Sequence, residues 1–198
     1  MRHTSWYLSA AIALVLIGSS VADAQQQHPQ TREGWWFSAG TGVAARFYNC
    51  KGCDSLPRQP RGLGPTLRLR LGGSFDSHLL LGMQVDVWAK SSSGVTSFAG
   101  VLSPAIYYYP SDSGGFFFGF GFGHLGYASY AGADNQISNG FGLIVGVGRD
   151  YRVRRSMSIS TALNLIVGGF GALNENDALR GRSYSQTMLE LGVGITFH

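Results

Sequence analysis

Residues 114–127 read GGFFFGFGFGHLGY, and few folds can accommodate them. Successive side chains of an extended strand point to opposite faces. Phe118, Phe120 and Phe122 would then form a row of rings, while Gly119, Gly121 and Gly123 leave the other face nearly bare. A soluble antiparallel sheet alternates apolar with polar residues, because its outer face meets water. This segment has no polar face over its middle. It needs an apolar medium on the ring side and a confined space on the glycine side.

The same period recurs along the chain, and no helical repeat of apolar residues competes with it. Eight segments emerge, beginning with WWFSAGTGVAARF from Trp35 to Phe47. In the second, Leu67, Leu69 and Leu71 oppose Thr66, Arg68 and Arg70. The third sets Leu79, Leu81, Met83, Val85 and Val87 against His78, Leu80, Gly82, Gln84, Asp86 and Trp88. The fourth runs from about Thr96 to Tyr109, and the Phe/Gly stretch is the fifth. The last three, NGFGLIVGVGRD, MSISTALNLIVG and QTMLELGVGITF, each pair one greasy face with one small or polar face.

Connections alternate in length. Tyr48–Gly64 and Gly171–Ser185 are long, Ser129–Ser138 is middling and Ser91–Val95 shorter, whereas Gly73–Ser77, Pro110–Gly114 and Tyr151–Ser156 are tight. Long loops at one end and brief turns at the other are the pattern of an outer-membrane barrel, and each segment is long enough to cross, since a tilted membrane strand needs about 9–11 residues. Aromatics gather near segment ends. Trp35, Trp36, Tyr107, Tyr108, Tyr109, Phe116, Tyr151 and Phe197 fall on the tight-turn side, and Phe47, Tyr48, Trp88, Phe98, Tyr127, Tyr130 and Tyr184 toward the other. Those are the places of two interfacial girdles. The expected fold is all-β: an eight-stranded antiparallel up-and-down transmembrane β-barrel. A closed barrel satisfies every backbone N–H and C=O, which an open sheet in hydrocarbon cannot do.

The N-terminus adds a compartment. Arg2 and His3 precede the apolar run WYLSAAIALVLIG, and VADA follows with small residues at Ala22 and Ala24. This is the build of a secretory signal peptide, and the run is shorter than the ~20 residues of a spanning helix. The expected organisation is a signal peptide over 1–24, a flexible periplasmic leader over 25–33 and a barrel over 34–198. Only 13% of the residues are charged, and Gly reaches 29. The net charge of +4 could suggest nucleic acid. However, the basic residues are scattered apart from Arg152-Val153-Arg154-Arg155, which gives no recognition stripe. No nucleic-acid partner is expected.

At its C-terminal end the chain reads ELGVGITF, with Glu190, Gly192, Ile195 and Phe197 at the spacing polar, any, glycine, two of any, apolar, any, aromatic. This resembles the assembly signal of bacterial outer-membrane barrels, although there the aromatic usually comes last and here His198 follows it. As architecture, the chain is similar to the small eight-stranded barrels of the OmpA/OmpX and OmpW types. The resemblance implies a bacterial outer-membrane location, four surface loops, periplasmic termini, and outer-membrane lipids and the assembly machinery as partners. It names no loop ligand and no activity, because one fold hosts many functions.

Few residues suggest chemistry. Cys50 and Cys53 have redox or half-zinc spacing, but no helix N-terminus is expected beside them and no second ligand pair exists. A small disulfide in the first long loop is the simpler account. Arg68, Arg70, Gln84, Asp86 and Glu190 should face the lumen. A turn centred near Gly73–Ser77 sets Arg68 opposite Gln84 and diagonal to Asp86. Buried charges must pair, so Arg68, Arg70, Asp86 and Glu190 are expected to form a salt-bridge network that plugs the barrel; the rival account is a charged constriction that selects solutes. The glycines at 119, 121, 123, 140, 142, 146 and 148 would give room to bulky side chains such as Trp88 or Ile144, or leave a ligand pocket.

His124 breaks the pattern. Strict alternation aims it at lipid, unless a bulge turns Leu125 and Tyr127 outward instead. Barrel enzymes that deacylate lipid A carry a His–Ser pair two residues apart, whereas here Gly126 stands at that place and Ser129 lies five residues on. Asn174, Glu175, Asn176 and Asp177 lack calcium-loop spacing and suit a hydrated loop. No metal, cofactor or catalytic residue is expected. The expected role is a membrane-embedded scaffold with surface loops; the alternatives are a narrow pore for small solutes or hydrophobic molecules, and, behind it, a lipid A-modifying enzyme.

Overall fold

The structure, a computed structural model, describes residues 32–51, 62–112, 114–132, 134–154, 156–170, 173–175, 178–181 and 183–198. Eight long strands form the wall: β1 (Trp35–Lys51), β2 (Gly62–Ser74), β3 (Leu79–Ser92), β4 (Val95–Tyr108), β5 (Phe116–Ala131), β6 (Asp134–Arg154), β7 (Met157–Phe170) and β10 (Ser183–Phe197). Two short strands, β8 (Leu173–Glu175) and β9 (Ala178–Gly181), lie between β7 and β10 in sequence. Each long strand pairs antiparallel with its sequence neighbour among the eight, and β1 pairs with β10 from Phe37↔Phe197 to Lys51↔Ser183. The first and last wall strands thus meet, and the ladder closes without an edge.

Alternation decides which face each residue takes. Phe118, Phe120 and Phe122 point outward, and so do Leu67, Leu69, Leu81, Val87, Leu189 and Leu191. A face of this composition fits hydrocarbon, and Phe120 sits in it between Ile106 and Val145. Replacing Phe120 by Arg should therefore cost about 2–4 kcal/mol if the residue lies at bilayer mid-depth. The readout is the urea midpoint of unfolding from vesicles.

Three expectations need correction. Arg68 lies opposite Asp86 and Arg70 opposite Gln84, a shift of two residues from the expected register. The strands stop at Ser74 and Leu79, so the turn is centred later than the glycines suggested. The expected connection over 129–138 is mostly ladder, with Ser129↔Gln136 and Ala131↔Asp134 paired. Beyond the end of β7, β6 also pairs with β8 through Gln136↔Glu175 and Ile137↔Asn174, and β9 adds to β8. Finally, the two girdles contain fewer rings than expected. Trp36, Tyr107, Tyr109, Trp88 and Tyr127 are buried in the lumen, because neighbours in a strand face opposite ways.

At the long-loop end β3 and β4 are joined by a two-residue turn, in which Ser93 and Gly94 both have positive φ, of 52° and 78°. Two positive values in succession are the backbone of the hairpin turn whose twist matches the flanking strands. The signal peptide over 1–24 lies outside the described residues, as do Cys53 and the disulfide expected there, Asn176 and Asp177. Of the 25–33 leader, Arg32 and Glu33 are described, and Arg32 is buried rather than loose.

Candidate functional site

The lumen is the place to look for a site, because alternation sends the polar residues of the strands there. Its side chains sort into bands. Toward the tight turns, Trp36, Leu80, Ala105, Tyr107, Tyr109, Phe117 and Ala162 form an apolar cluster. Toward the loops, Ala44, Trp88, Ala99, Val101, Leu125, Tyr127, Ile144, Ile166 and Met188 form a second one. Between them sit Arg68, Arg70, Gln84, Asp86, Asn164 and Glu190, each at most 4% exposed.

Glycine brings the central charges together. Arg68 on β2 and Glu190 on β10 flank β1, whose inward residues at this height are Gly40 and Gly42. A Cβ at Gly192 would come within 3.2 Å of the Arg68 guanidinium, so that glycine too makes room for it. Arg68 Nη1 lies 3.4 Å from Glu190 Oε2, an ion pair across the strand between them. Thr66 Oγ1 donates to Glu190 Oε1 at 2.8 Å, and Asn164 Nδ2 donates to Oε2 at 2.8 Å.

Asp86 and Arg70 are linked less directly than expected. Gln84 Nε2 donates to Asp86, and the Tyr107 hydroxyl donates to the Gln84 carbonyl oxygen. Arg70 lies over the Tyr107 ring at 4.7 Å and near Phe117 at 5.7 Å. Thus the four expected charges occupy one buried band, but among the described residues the recorded ion pair in it is Arg68–Glu190. Among the described residues Asp86 Oδ1 has no hydrogen-bond partner.

The glycine wall is filled mainly by neighbouring strands rather than from across the lumen. A Cβ at Gly148 would meet Phe117 Cζ at 2.4 Å, and one at Gly119 would meet the Tyr107 ring at 3.1 Å. Trp88 lies instead against Gly64 of β2. Steric accommodation therefore accounts for the glycines.

Both mouths hold charges that the sequence reading did not single out. At the loop end Arg46 is fully buried, with Nε donating to Gln186 Oε1 at 3.0 Å and its guanidinium over Tyr127 at 4.4 Å. At the turn end, Arg32 Nη1 donates to the carbonyls of Ser77 and Ser111, both at 3.3 Å, and Nη2 to that of Gly114. Its guanidinium covers the Tyr109 ring at 3.7 Å. Buried Asp150 accepts hydrogen bonds from the Tyr109 hydroxyl at 2.8 Å and from Ser160 at 2.6 Å. His198 folds in 4.0 Å from Asp150; burial lowers its imidazole below the ordinary range, and the carboxylate partly offsets that. Counting strand phase from Ala44 to Arg46, and from Gly148 to Asp150, would have placed two of these residues inside.

The other candidates disperse. Glu190 and Gly192 of the C-terminal motif face the lumen, whereas Ile195 and Phe197 face out. His124 faces out between Leu102 and Phe141, and the β5–β6 ladder runs through it without a bulge. Leu125 and Tyr127 accordingly face in. Ser129 is also inside, its Oγ accepting from Ser97 Oγ at 2.9 Å, on the opposite side of the strand from His124. Among the described residues no group of three metal-binding side chains occurs.

No protein-family model matches the chain, and no curated protein matches it in sequence. In shape it is similar to Neisserial surface protein A, with a TM-score of 0.56 and 14% identity over 83% of this chain and 97% of that one. It is also similar to the outer-membrane protein OprG from Pseudomonas aeruginosa, with a TM-score of 0.50 and 11% identity over 87% and 97%. The closed antiparallel ladder, the apolar outer face and these likenesses in shape together make the chain, in fold, a small eight-stranded outer-membrane β-barrel.

Proposed function

We propose that this protein is a sealed anchor in the bacterial outer membrane, exported by its signal peptide, which holds its long-loop end outside the cell as an interaction surface. One observation carries the reading: the lumen is packed in successive bands from Arg32 at one mouth to Arg46 at the other. A solute path would have to displace the Trp88 cluster, the Arg68–Glu190 band and the Phe117 cluster. The extension of β5 and β6, with β8 and β9 added beside them, supports a role for the loop end, because ordered pairing continues past the end of β7.

The narrow pore is the alternative, favoured by the charges of the central band. Reconstitution in a planar bilayer separates the two. A sealed anchor gives no stable unitary conductance, whereas sustained unitary steps would reject the proposal and establish the pore. A lipid A-modifying role would need a hydroxyl or acid beside His124, and Ser129, the serine weighed for it, lies on the other face. Recognition of the C-terminal motif by the assembly machinery remains part of the proposal, with outward Ile195 and Phe197 as the exposed elements.

A further inference from the structure

Away from their end residues, the described wall strands place apolar, small or uncharged polar residues outward, with two exceptions. His124 is one, and Arg149 is the other; Arg154, past the ladder irregularity, pairs with Met157 at the very end of β6. Its place follows from phase: Gly148 and Asp150 on either side of it face the lumen, and the ladder is continuous through it. The cross-strand neighbours of Arg149 are Phe116 on β5 and Thr161 on β7. No carboxylate among the described residues pairs with it, and its guanidinium lies over the Tyr151 ring at 5.4 Å. Tyr151 is two residues nearer the tight turn, so the long side chain reaches along the wall toward that rim, as arginines do at membrane boundaries.

The turn itself is basic. Arg152 Nε donates to the Arg154 carbonyl at 3.2 Å across an irregularity in the ladder, and Arg154 is exposed. The outward positions around it are apolar, with Val153, Phe116, Ile159 and Phe197 all exposed. The Arg149 guanidinium, set between Phe116 and Thr161 at the edge of a lipid-facing wall, is placed where an anion of the lipid surface comes within its reach.

We infer that Arg149, with Tyr151 and the β6–β7 turn, holds the phosphodiester headgroup of an anionic glycerophospholipid in the leaflet at the tight-turn end. A phosphodiester offers oxygen acceptors that suit the guanidinium fork. The acyl chains of such a lipid would lie along the Phe116–Phe118–Phe120 row of β5. Zwitterionic lipid offers the same phosphate, but its own ammonium competes for it. The site should therefore prefer a headgroup with net negative charge, by about fivefold for each arginine that engages it.

The inference rests on the barrel being embedded in a bilayer, and the test separates the two claims. The full chain is folded into vesicles of phosphatidylcholine with a minority of phosphatidylglycerol. Insertion is read from a heat-shifted gel band, and association from the motionally restricted fraction of spin-labelled phosphatidylglycerol against spin-labelled phosphatidylcholine. The expected result is a severalfold preference for phosphatidylglycerol that salt weakens. Arg149→Gln should abolish most of it, Arg149→Lys should keep part, and Arg154→Gln, on the exposed turn, should lower it less. Inserted barrels with equal association of both lipids, or an inserted Arg149→Gln barrel that keeps the full preference, would overturn the site and leave the membrane reading intact. Absence of the heat-shifted band in every vesicle would overturn both.

Discussion

Replacing Glu190 with alanine is expected to destabilise the folded barrel by about 3–5 kcal/mol, the cost of breaking a buried ion pair by deleting one partner. Glu190 is 1% exposed and compensates Arg68, itself 3% exposed. Its loss also leaves Thr66 Oγ1 and Asn164 Nδ2 without their acceptor. Asp86, opposite Arg68 and hydrogen-bonded by Gln84, would then be the one carboxylate of the four charges left to face both Arg68 and Arg70. The measurement is urea-dependent unfolding of refolded protein, followed by the heat-shifted gel band. Refolding in vitro matters here, since Glu190 also heads the C-terminal motif and a defect in cells would confound stability with assembly. The paired change Arg68→Met with Glu190→Leu should lose much less, because it removes both charges and their desolvation together. If the single and the paired variants unfold alike, packing rather than charge holds the centre.

The wall of the barrel could be read from the sequence because one rule, alternation, acts on every residue of a strand whatever its partner. Leu67, Leu81 and Phe120 needed no knowledge of their neighbours to be turned outward. Register is different. It depends on where a turn starts, and a turn centred near Gly73–Ser77 lies earlier than the one the ladder uses. The Arg68–Glu190 pair was harder still to predict in detail, for its members are 122 residues apart in a sense only barrel closure resolves: β10 must return beside β1 before the two side chains can meet over Gly40 and Gly42. The aromatic residues were misjudged for a simpler reason. Position along a strand groups Trp36 and Tyr107 with Trp35 and Tyr108, whereas phase points them the opposite way. Arg32 carried no pattern at all. It lies before the first strand, and the carbonyls that hold it come from turns on two other hairpins.

Trp88→Ala should cost a comparable 3–5 kcal/mol, for the different reason that it empties a packed space. The indole is fully buried among Ala44, Ala99, Leu125, Ile144, Ile166 and Met188, and Nε1 donates to the Ala44 carbonyl at 3.2 Å. Collapse around the void is hindered on the β2 side, where Gly64 has no side chain to move in and the wall is fixed by its ladder. Trp88→Phe keeps most of the ring volume while removing the N–H, and should lose a smaller part of the stability. Arg46 gives a second consequence. Its guanidinium lies 5.1 Å from the Trp88 ring and 4.4 Å from that of Tyr127, so the alanine variant leaves it held by Tyr127 and Gln186. The variant should still fail to conduct in a planar bilayer, because the Arg68–Glu190 band and the Phe117 cluster remain below the void. Stable unitary conductance from Trp88→Ala alone would show that this ring is the seal and that the bands beneath it leave a water path. In that event the wild-type lumen is closed by one ring rather than plugged along its length.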